Sequence, residues 1–331
     1  MGQHDGGMRI VTQDELGGPH VLRLAEVNRP EPSPGEVLIK LGAAGVNPVD
    51  AVVRSGNYRP RDGSTIDVDL RAERFAIPPF TTGWDIAGRV ESCGPGVSAF
   101  RHGDQVMGLL SFPELASTHA DFVIASTNEI VLKPADMPTT EAGGLPMAGL
   151  TAWQALIGIA KVADQERVLV HAAAGGVGHL AVQIAKAVGA DVVATTSAGN
   201  HHFVRGLGAD EVIDYRVEDF VTATSPVDVV LDLVGGEYAE RSLKVLKPGG
   251  RLVSAVTVYP GTTQERAERA GRCFREVHVR PSTQDLATLV RLFQDGRLQV
   301  QVSHVLALTE AAEAHRLVEG GHVAGKVVLI P

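Results

Sequence analysis

The sequence predicts an α/β protein in which a doubly wound parallel sheet of six strands is joined to a separate β-rich domain. Two observations carry that expectation. The stretch Val168–Thr196 reads strand, glycine turn, helix, strand. Strand and helix signals go on alternating after it, whereas the residues before it read as short strands cut by glycine and proline. Within the stretch, Val168–Ala173 is an apolar run of strand length, and Gly175, Gly176 and Gly178 follow at once. Val177, Leu180, Ala181, Ile184, Ala185 and Val188 then recur with the period of one helix face. Gly189 stops that helix and Asp191–Thr196 opens a second β-branched run. Such a βαβ unit suits a dinucleotide. Its glycines let the chain turn, let backbone N–H groups approach a pyrophosphate at the helix N-terminus, and let helix and strand pack closely. Ala173 stands where the literal G-x-G-x-x-G motif has its first glycine, so the order of elements carries the reading rather than the motif. Ala174, Gly175, Gly176, Val177 and Gly178 are the expected phosphate-side residues.

From Met8 to about Lys133 the strand candidates are Val21–Ala25, Glu36–Ala43, Gly88–Ser92, Gln105–Leu109 and Asp121–Ile124. Ser33-Pro34-Gly35 and Gly94-Pro95-Gly96 are turn signals between them. Small and apolar residues over Thr139–Ile159 predict helix, interrupted by scattered glycines. The parallel strands are expected at Val168–Ala173, Val192–Thr196, Glu211–Tyr215, Val227–Leu233, Arg251–Val256 and Phe274–Val279. After Pro281 come a helix at Gln284–Asp295, a strand at Val300–Leu306, a helix at Thr309–Glu319 and a last strand at Lys326–Ile330. This divides the chain into a β-rich domain of residues 1–133 and 281–331 and a dinucleotide-binding domain of residues 134–280.

Composition narrows the function classes. The 331 residues favour two domains, and 44% hydrophobic with 21% charged residues is ordinary for a globular protein with an ample core. A net charge of −9 argues against a nucleic-acid partner and leaves no basic cluster for a membrane surface. Cys93 and Cys273 cannot build a disulfide framework and neither belongs to a C-x-x-C pair, which suits a reducing cytoplasm. The opening residues MGQHDGGM lack a signal peptide's basic and apolar regions, and no apolar run is long enough to span a bilayer.

Several stretches together resemble the medium-chain dehydrogenase/reductase family, and within it the zinc-free, zeta-crystallin-like quinone oxidoreductases. They are Gly45-Val46-Asn47-Pro48-Val49-Asp50, Gly83-Trp84-Asp85-Ile86-Ala87-Gly88, Gly149-Leu150-Thr151-Ala152 and Ala172–Gly178. Gly208-Ala209-Asp210, Leu246–Gly250 and Gly325-Lys326-Val327-Val328-Leu329 complete the set, which spans nearly the whole chain in order. The resemblance implies a GroES-like catalytic domain, a Rossmann domain and an active cleft between them. The family's zinc enzymes carry a metal-binding Cys near Asn47 and a GHE motif where this chain has Gly83-Trp84-Asp85; Asn47 and Trp84 are not zinc ligands, so no zinc is expected.

The resemblance also assigns residues. Asn47 faces the nicotinamide cleft, where its amide can bond a carbonyl or ribose, and Tyr58 matches a cleft tyrosine; these two are the catalytic candidates. Thr151 lies beside the nicotinamide, and Lys326 follows Gly325 in a motif that approaches the cofactor. Thr196 stands where an NAD-specific fold presents Asp or Glu to the ribose, and a carboxylate there would repel a 2′-phosphate. With Ser197, Asn200 and Tyr215 it forms the expected adenosine side. Relatives place Lys or Arg a few residues past that point; this chain has Ala198-Gly199-Asn200-His201, and Arg216 is an alternative source of charge. The charged stretch Arg61–Phe75 is longer than in relatives and should border the cleft, while His171, inside an apolar strand, reads as a core histidine. The expected protein is a homodimeric, cytoplasmic NADPH-dependent reductase of quinones or α,β-unsaturated carbonyl compounds, with NADH as the alternative cofactor. Its rivals are an enoyl reductase acting on a thioester or polyketide intermediate, and a non-catalytic NADPH-binding protein.

Overall fold

The computed structural model describes residues 6–56, 77–256 and 261–331; Tyr58 and the Arg61–Phe75 stretch lie outside these. Among the described residues the strands are β1 (Gly7–Thr12), β2 (Arg23–Asn28), β3 (Glu36–Val46), β4 (Asp85–Cys93), β5 (Gln105–Leu109), β6 (Phe122–Ser126) and β7 (Ile130–Leu132). They continue with β8 (Arg167–Val170), β9 (Asp191–Thr196), β10 (Glu211–Asp214), β11 (Val227–Asp232), β12 (Leu246–Ser254), β13 (Cys273–Glu276), β14 (Val302–Ala307) and β15 (Lys326–Ile330).

Strands β8 to β13 form one six-stranded parallel sheet in the order β10-β9-β8-β11-β12-β13. The apolar centres of β8, β9 and β11, from Val168, Val192 and Val229 onward, have no exposed surface, because helices cover both faces. The strand order reverses direction between β8 and β11, and the glycine turn leaves the end of β8 at that crevice, where open α/β sheets take their ligands. The other large sheet has seven strands, ordered β14-β15-β3-β4-β5-β7 with β6 on β3. Its central strand β3 pairs with β4, β6 and β15, so Val37, Leu38 and Ile39 are all buried. This is the GroES-like domain joined to a Rossmann domain, as expected from the sequence.

Four local expectations change. The strand expected from Val21 begins at Arg23, since Pro19–Val21 closes a 3₁₀ turn first. β1 and β7 went unforeseen: β1 is held by pairing with β2 and β7 is three residues long, so neither needs a strong pattern of its own. The helical stretch from Thr139 breaks at Pro146, which lacks the N–H that would continue the first helix and instead opens a second, Pro146–Trp153. A π-helical turn, Gln154–Ile159, follows. Finally, β12 starts at Leu246 and β13 ends at Glu276.

Two glycines are required by close approach. A Cβ on Gly178 would lie 2.3 Å from the Ala172 carbonyl oxygen and 2.8 Å from Ala173 Cα, both backbone atoms that cannot yield. Gly325 has φ +89°, and a Cβ there would lie 2.3 Å from the Gln301 carbonyl oxygen. We expect Gly178→Ala to lower unfolding stability by about 1–3 kcal/mol, the usual range for forcing atoms into a packed site. At Gly199 an added Cβ meets nothing within 4 Å, so Gly199→Ala should stay within about 0.5 kcal/mol of the parent. Urea denaturation of the two variants measures the contrast, and equal midpoints would refute it.

Candidate active site

The turn between β8 and the helix Gly178–Ala187 is built from backbone. Ala172 takes a positive φ of 47°, and the Gly175 N–H bonds its carbonyl at 2.9 Å. The Ala173 N–H bonds Thr195 O at 3.0 Å, tying the turn to the end of β9. Among the described residues, the N–H groups of Ala174, Gly176 and Val177 have no acceptor. Unsatisfied donors grouped at the start of a ten-residue helix are a fitting cradle for a pyrophosphate. His179 buttresses this turn: Nδ1 donates to Gly175 O at 2.9 Å and Nε2 accepts the Gln301 N–H at 3.2 Å. Those partners require the neutral ring, and burial agrees, pushing its pKa down to about 4.

The adenosine-side candidates also converge. In the β9–β10 register Thr196 lies opposite Asp214, and the Tyr215 N–H reaches Thr196 O at 3.4 Å. Asn200 Nδ2 lies 3.4 Å from Ser197 Oγ. Tyr215 is exposed, with the Arg216 guanidinium 5.9 Å from its ring centroid. The carboxylate of Asp214 accepts the Arg216 N–H, so it is engaged in its own turn. Thr196, Ser197, Asn200, Tyr215 and Arg216 thus gather at the carboxyl ends of two adjacent strands.

A buried polar cluster lies beside the glycine turn. Asn47 follows β3 and caps the helix Pro48–Ser55, and its backbone N–H is taken by Asp50 Oδ2 at 2.7 Å. Its side chain does not cap. Asn47 Nδ2 donates to Asp85 Oδ2 at 2.8 Å, and Oδ1 accepts from Lys326 Nζ at 2.5 Å. Asp85 Oδ1 accepts the Met147 N–H at 2.6 Å, at the start of the helix Pro146–Trp153. Among the described residues Asp50 Oδ1 has no hydrogen bond of ordinary geometry, although the Gly83 N–H also acts on this carboxyl. Burial dominates the ionisation of all three charged groups. It pushes the Asp50 carboxyl up to about 7, against the Asn47 N–H and Lys326, while the Asp85 charge adds to the rise. It raises Asp85 against the pull of Lys326, Asn47 and Met147. It lowers Lys326, which Asp85 and Asp50 partly restore.

Lys326, expected at the cofactor, therefore has two faces. A Cβ placed on Gly176 would lie 3.2 Å from Lys326 Cδ, so the stem packs on the turn while the ammonium turns to Asn47. Thr151 is buried in its helix with Oγ1 donating to Met147 O at 2.7 Å, a helix-interior threonine one turn from the Asp85 contact. His171 is the satisfied core histidine expected of it, between Thr195 Oγ1 and Ser242 Oγ at 3.0 Å each. Asp50, Asp85 and His179 were not singled out in the sequence. The spacing Asn47-x-x-Asp50 is a helix-cap signal that could have found the first, Asp85 lies in the family-like stretch Gly83–Gly88, and nothing local marks His179.

Among the described residues, no group of three or more His, Cys, Asp or Glu is placed to hold a metal. Where the carboxylates of Asp50 and Asp85 approach Asn47, the cation at hand is Lys326, and Trp84 is fully buried with its indole N–H on Glu114 O at 2.7 Å.

Asp50 supplies a pH signature. Its folded pKa lies above the roughly 3.9 of an unfolded aspartate, so between pH 4 and 7 the unfolded chain releases a proton that the folded one keeps. Stability is thereby lost as pH rises through that window, whereas near pH 4 the carboxyl has no such effect. Asp50→Asn removes this titration, so its Tm relative to the parent should climb from pH 5 to about pH 7 and level off above it. A Tm difference that is flat over this range would refute the assignment.

Comparison with known proteins agrees with this architecture. Residues 33–135 match the family profile described as alcohol dehydrogenase GroES-like domain, and residues 207–329 the one described as zinc-binding dehydrogenase. The chain is 34% identical to the mitochondrial NAD(P)H oxidoreductase RTN4IP1 of Bos taurus, over 96% of this chain and 87% of that protein. Among solved structures, the quinone oxidoreductase of Coxiella burnetii is 37% identical with a TM-score of 0.89, covering 98% of this chain and 99% of that one. The Escherichia coli quinone oxidoreductase complexed with NADPH is 28% identical with a TM-score of 0.84, covering 98% and 100%. With two family profiles, full-length similarity and a shared fold in agreement, the chain belongs to the medium-chain dehydrogenase/reductase family, as an NAD(P)H-dependent oxidoreductase of its quinone oxidoreductase branch.

Proposed function

We propose that this protein is an NADPH-dependent reductase of quinones or α,β-unsaturated carbonyl compounds that works without a metal. The observation that carries this reading is the Asn47 amide, held by Asp85 and by Lys326, whose stem packs on the glycine turn. With an amide and an ammonium beside the glycine turn, a fitting substrate is one whose own carbonyl draws off the arriving negative charge. Reduced nicotinamide, when bound, supplies the hydride. The chain's own work is then orientation and a hydrogen bond at the developing oxyanion. Asn47 retains a second amide N–H for that oxygen beyond the one on Asp85, and the reading gives Tyr58 the same task. Thr151 and the glycine turn, residues 172–178, flank the nicotinamide and pyrophosphate, and Thr196 with Ser197, Asn200 and Tyr215 takes the adenosine end. Thr196 presents no carboxylate to a 2′-phosphate, which favours NADPH. The relative solved with NADPH supports the same choice.

Fluorescence titration should find NADPH bound more tightly than NADH by a modest factor, and NADPH should be oxidised when a quinone or an enone is added. NADH binding tenfold tighter, a difference of about 1.4 kcal/mol, would overturn the cofactor choice. Binding without turnover on either substrate panel would favour a non-catalytic NADPH-binding protein, and turnover of enoyl thioesters alone an enoyl reductase.

We also propose a homodimer built through the parallel sheet. β13 pairs with β12 on one side and, among the described residues, with no strand on the other, which makes it the edge of the sheet. Light scattering should return about twice the chain mass of 34.9 kDa. The monomer mass at every concentration would refute the dimer.

A further inference from the structure

Asn47 sits between two groups of opposite hydrogen-bonding character. A carboxylate only accepts and an ammonium only donates, so an amide placed between them has one satisfied orientation. With Nδ2 on Asp85 and Oδ1 on Lys326, both bonds are made. Flipped, the amide would set oxygen against oxygen and N–H against N–H, and both bonds would be lost in a buried site. Its backbone is fixed as well, since the Asn47 N–H is held by Asp50.

The two groups that hold the amide are themselves held. Asp85 has its other oxygen on the Met147 N–H, at the head of the helix that carries Thr151. Lys326 has its backbone N–H on Gln301 O at 2.8 Å, and the preceding Gly325 has its N–H on Ala174 O at 2.8 Å, inside the glycine turn. Its stem lies over Gly176. β4 and the start of β15 thus meet at the Asn47 side chain, and the start of β15 is itself tied to the dinucleotide turn.

We propose that Asp85 and Lys326 are positioning residues that set the Asn47 amide so that its free N–H meets the carbonyl oxygen of the substrate, with Lys326 acting through Asn47 rather than as a ligand of the nucleotide. This rests on the reading that Asn47 bonds the substrate oxygen. It goes beyond that reading by giving the amide a polarity: the group it meets must be an acceptor.

The test compares Asp85→Asn, Lys326→Met, the double variant and Asn47→Ala in the full chain, measuring Tm, NADPH affinity by fluorescence, and kcat and KM for the best quinone or enone. Each single charge removal leaves the other charge buried and less compensated, so each should lower Tm; the double variant should recover most of that loss. If the pair positions Asn47, kcat stays down about ten- to a hundredfold in the double variant even as Tm returns, while NADPH affinity changes by less than about threefold. Recovery of kcat together with Tm would show that the pair only stabilises the fold and would overturn the proposal. A large loss of NADPH affinity in Lys326→Met, with kcat unchanged, would also overturn it by making the lysine a nucleotide ligand. An Asn47→Ala variant with parental kcat would remove Asn47 from the reaction and the proposal with it. A crippled Asn47→Ala beside a fully active double variant would sink the positioning role alone.

Discussion

Everything near the site depends on how one buried lysine is satisfied. Lys326 is almost fully enclosed, and a solitary ammonium in such a place would be expected to shed its proton. It is met by an amide oxygen and by the fields of two carboxylates, whose own pKa values burial raises. No member of the set is comfortable alone. Removing one partner strands the others, which is why buried ion pairs are costly to break even where they add little net stability. The cluster is therefore a mutual constraint, and it lies where the two domains meet.

That meeting is made of backbone and short polar contacts as much as of apolar packing. Gly325 bonds Ala174, His179 bridges Gly175 and Gln301, and Gln183 takes the Gln299 N–H at 2.8 Å and donates to its carbonyl at 3.0 Å. This accounts for the helix Gly178–Ala187 being buried on nearly every side, with His179 and Gln183 enclosed beside the apolar face that period alone would predict. The second buried side faces the returning segment near Gln299–Gln301.

The Rossmann half was legible because its strands are covered on both faces and so read as uninterrupted β-branched runs, and because a glycine turn must stand where backbone approaches backbone. Strands secured mainly by their partners, such as β1 and β7, carry no such signal. The site was legible in its parts and not in its assembly. Asn47, Thr151, Thr196 and Lys326 could each be named, since each sits in a recognisable stretch. That Lys326 would turn its charge toward Asn47, and that Asp85 would hold both the amide and the head of the next helix, depends on groups brought together from opposite ends of the sequence. No local spacing encodes that meeting. Even the break at Pro146, plain in hindsight, was hidden by glycines whose role is close packing: a Cβ on Gly143 would lie 2.8 Å from that of Ala43.

The strand β15 enters the seven-stranded sheet between β14 and β3, and its first residue is Lys326, 279 positions after Asn47. One edge of β3 thus waits for a segment made long after it, during which the whole Rossmann domain is synthesised. While the chain is emerging, the nascent catalytic domain presents an open edge along Ala44–Val46, the stretch that leads directly into Asn47. Closing that edge and neutralising the carboxylates of the site are a single late event. Such long-range pairing is slow, and an open strand edge attracts other chains meanwhile. The buried cluster is completed at the moment the sheet is sealed, so a nascent or truncated chain lacking β15 has neither the sealed edge nor the lysine.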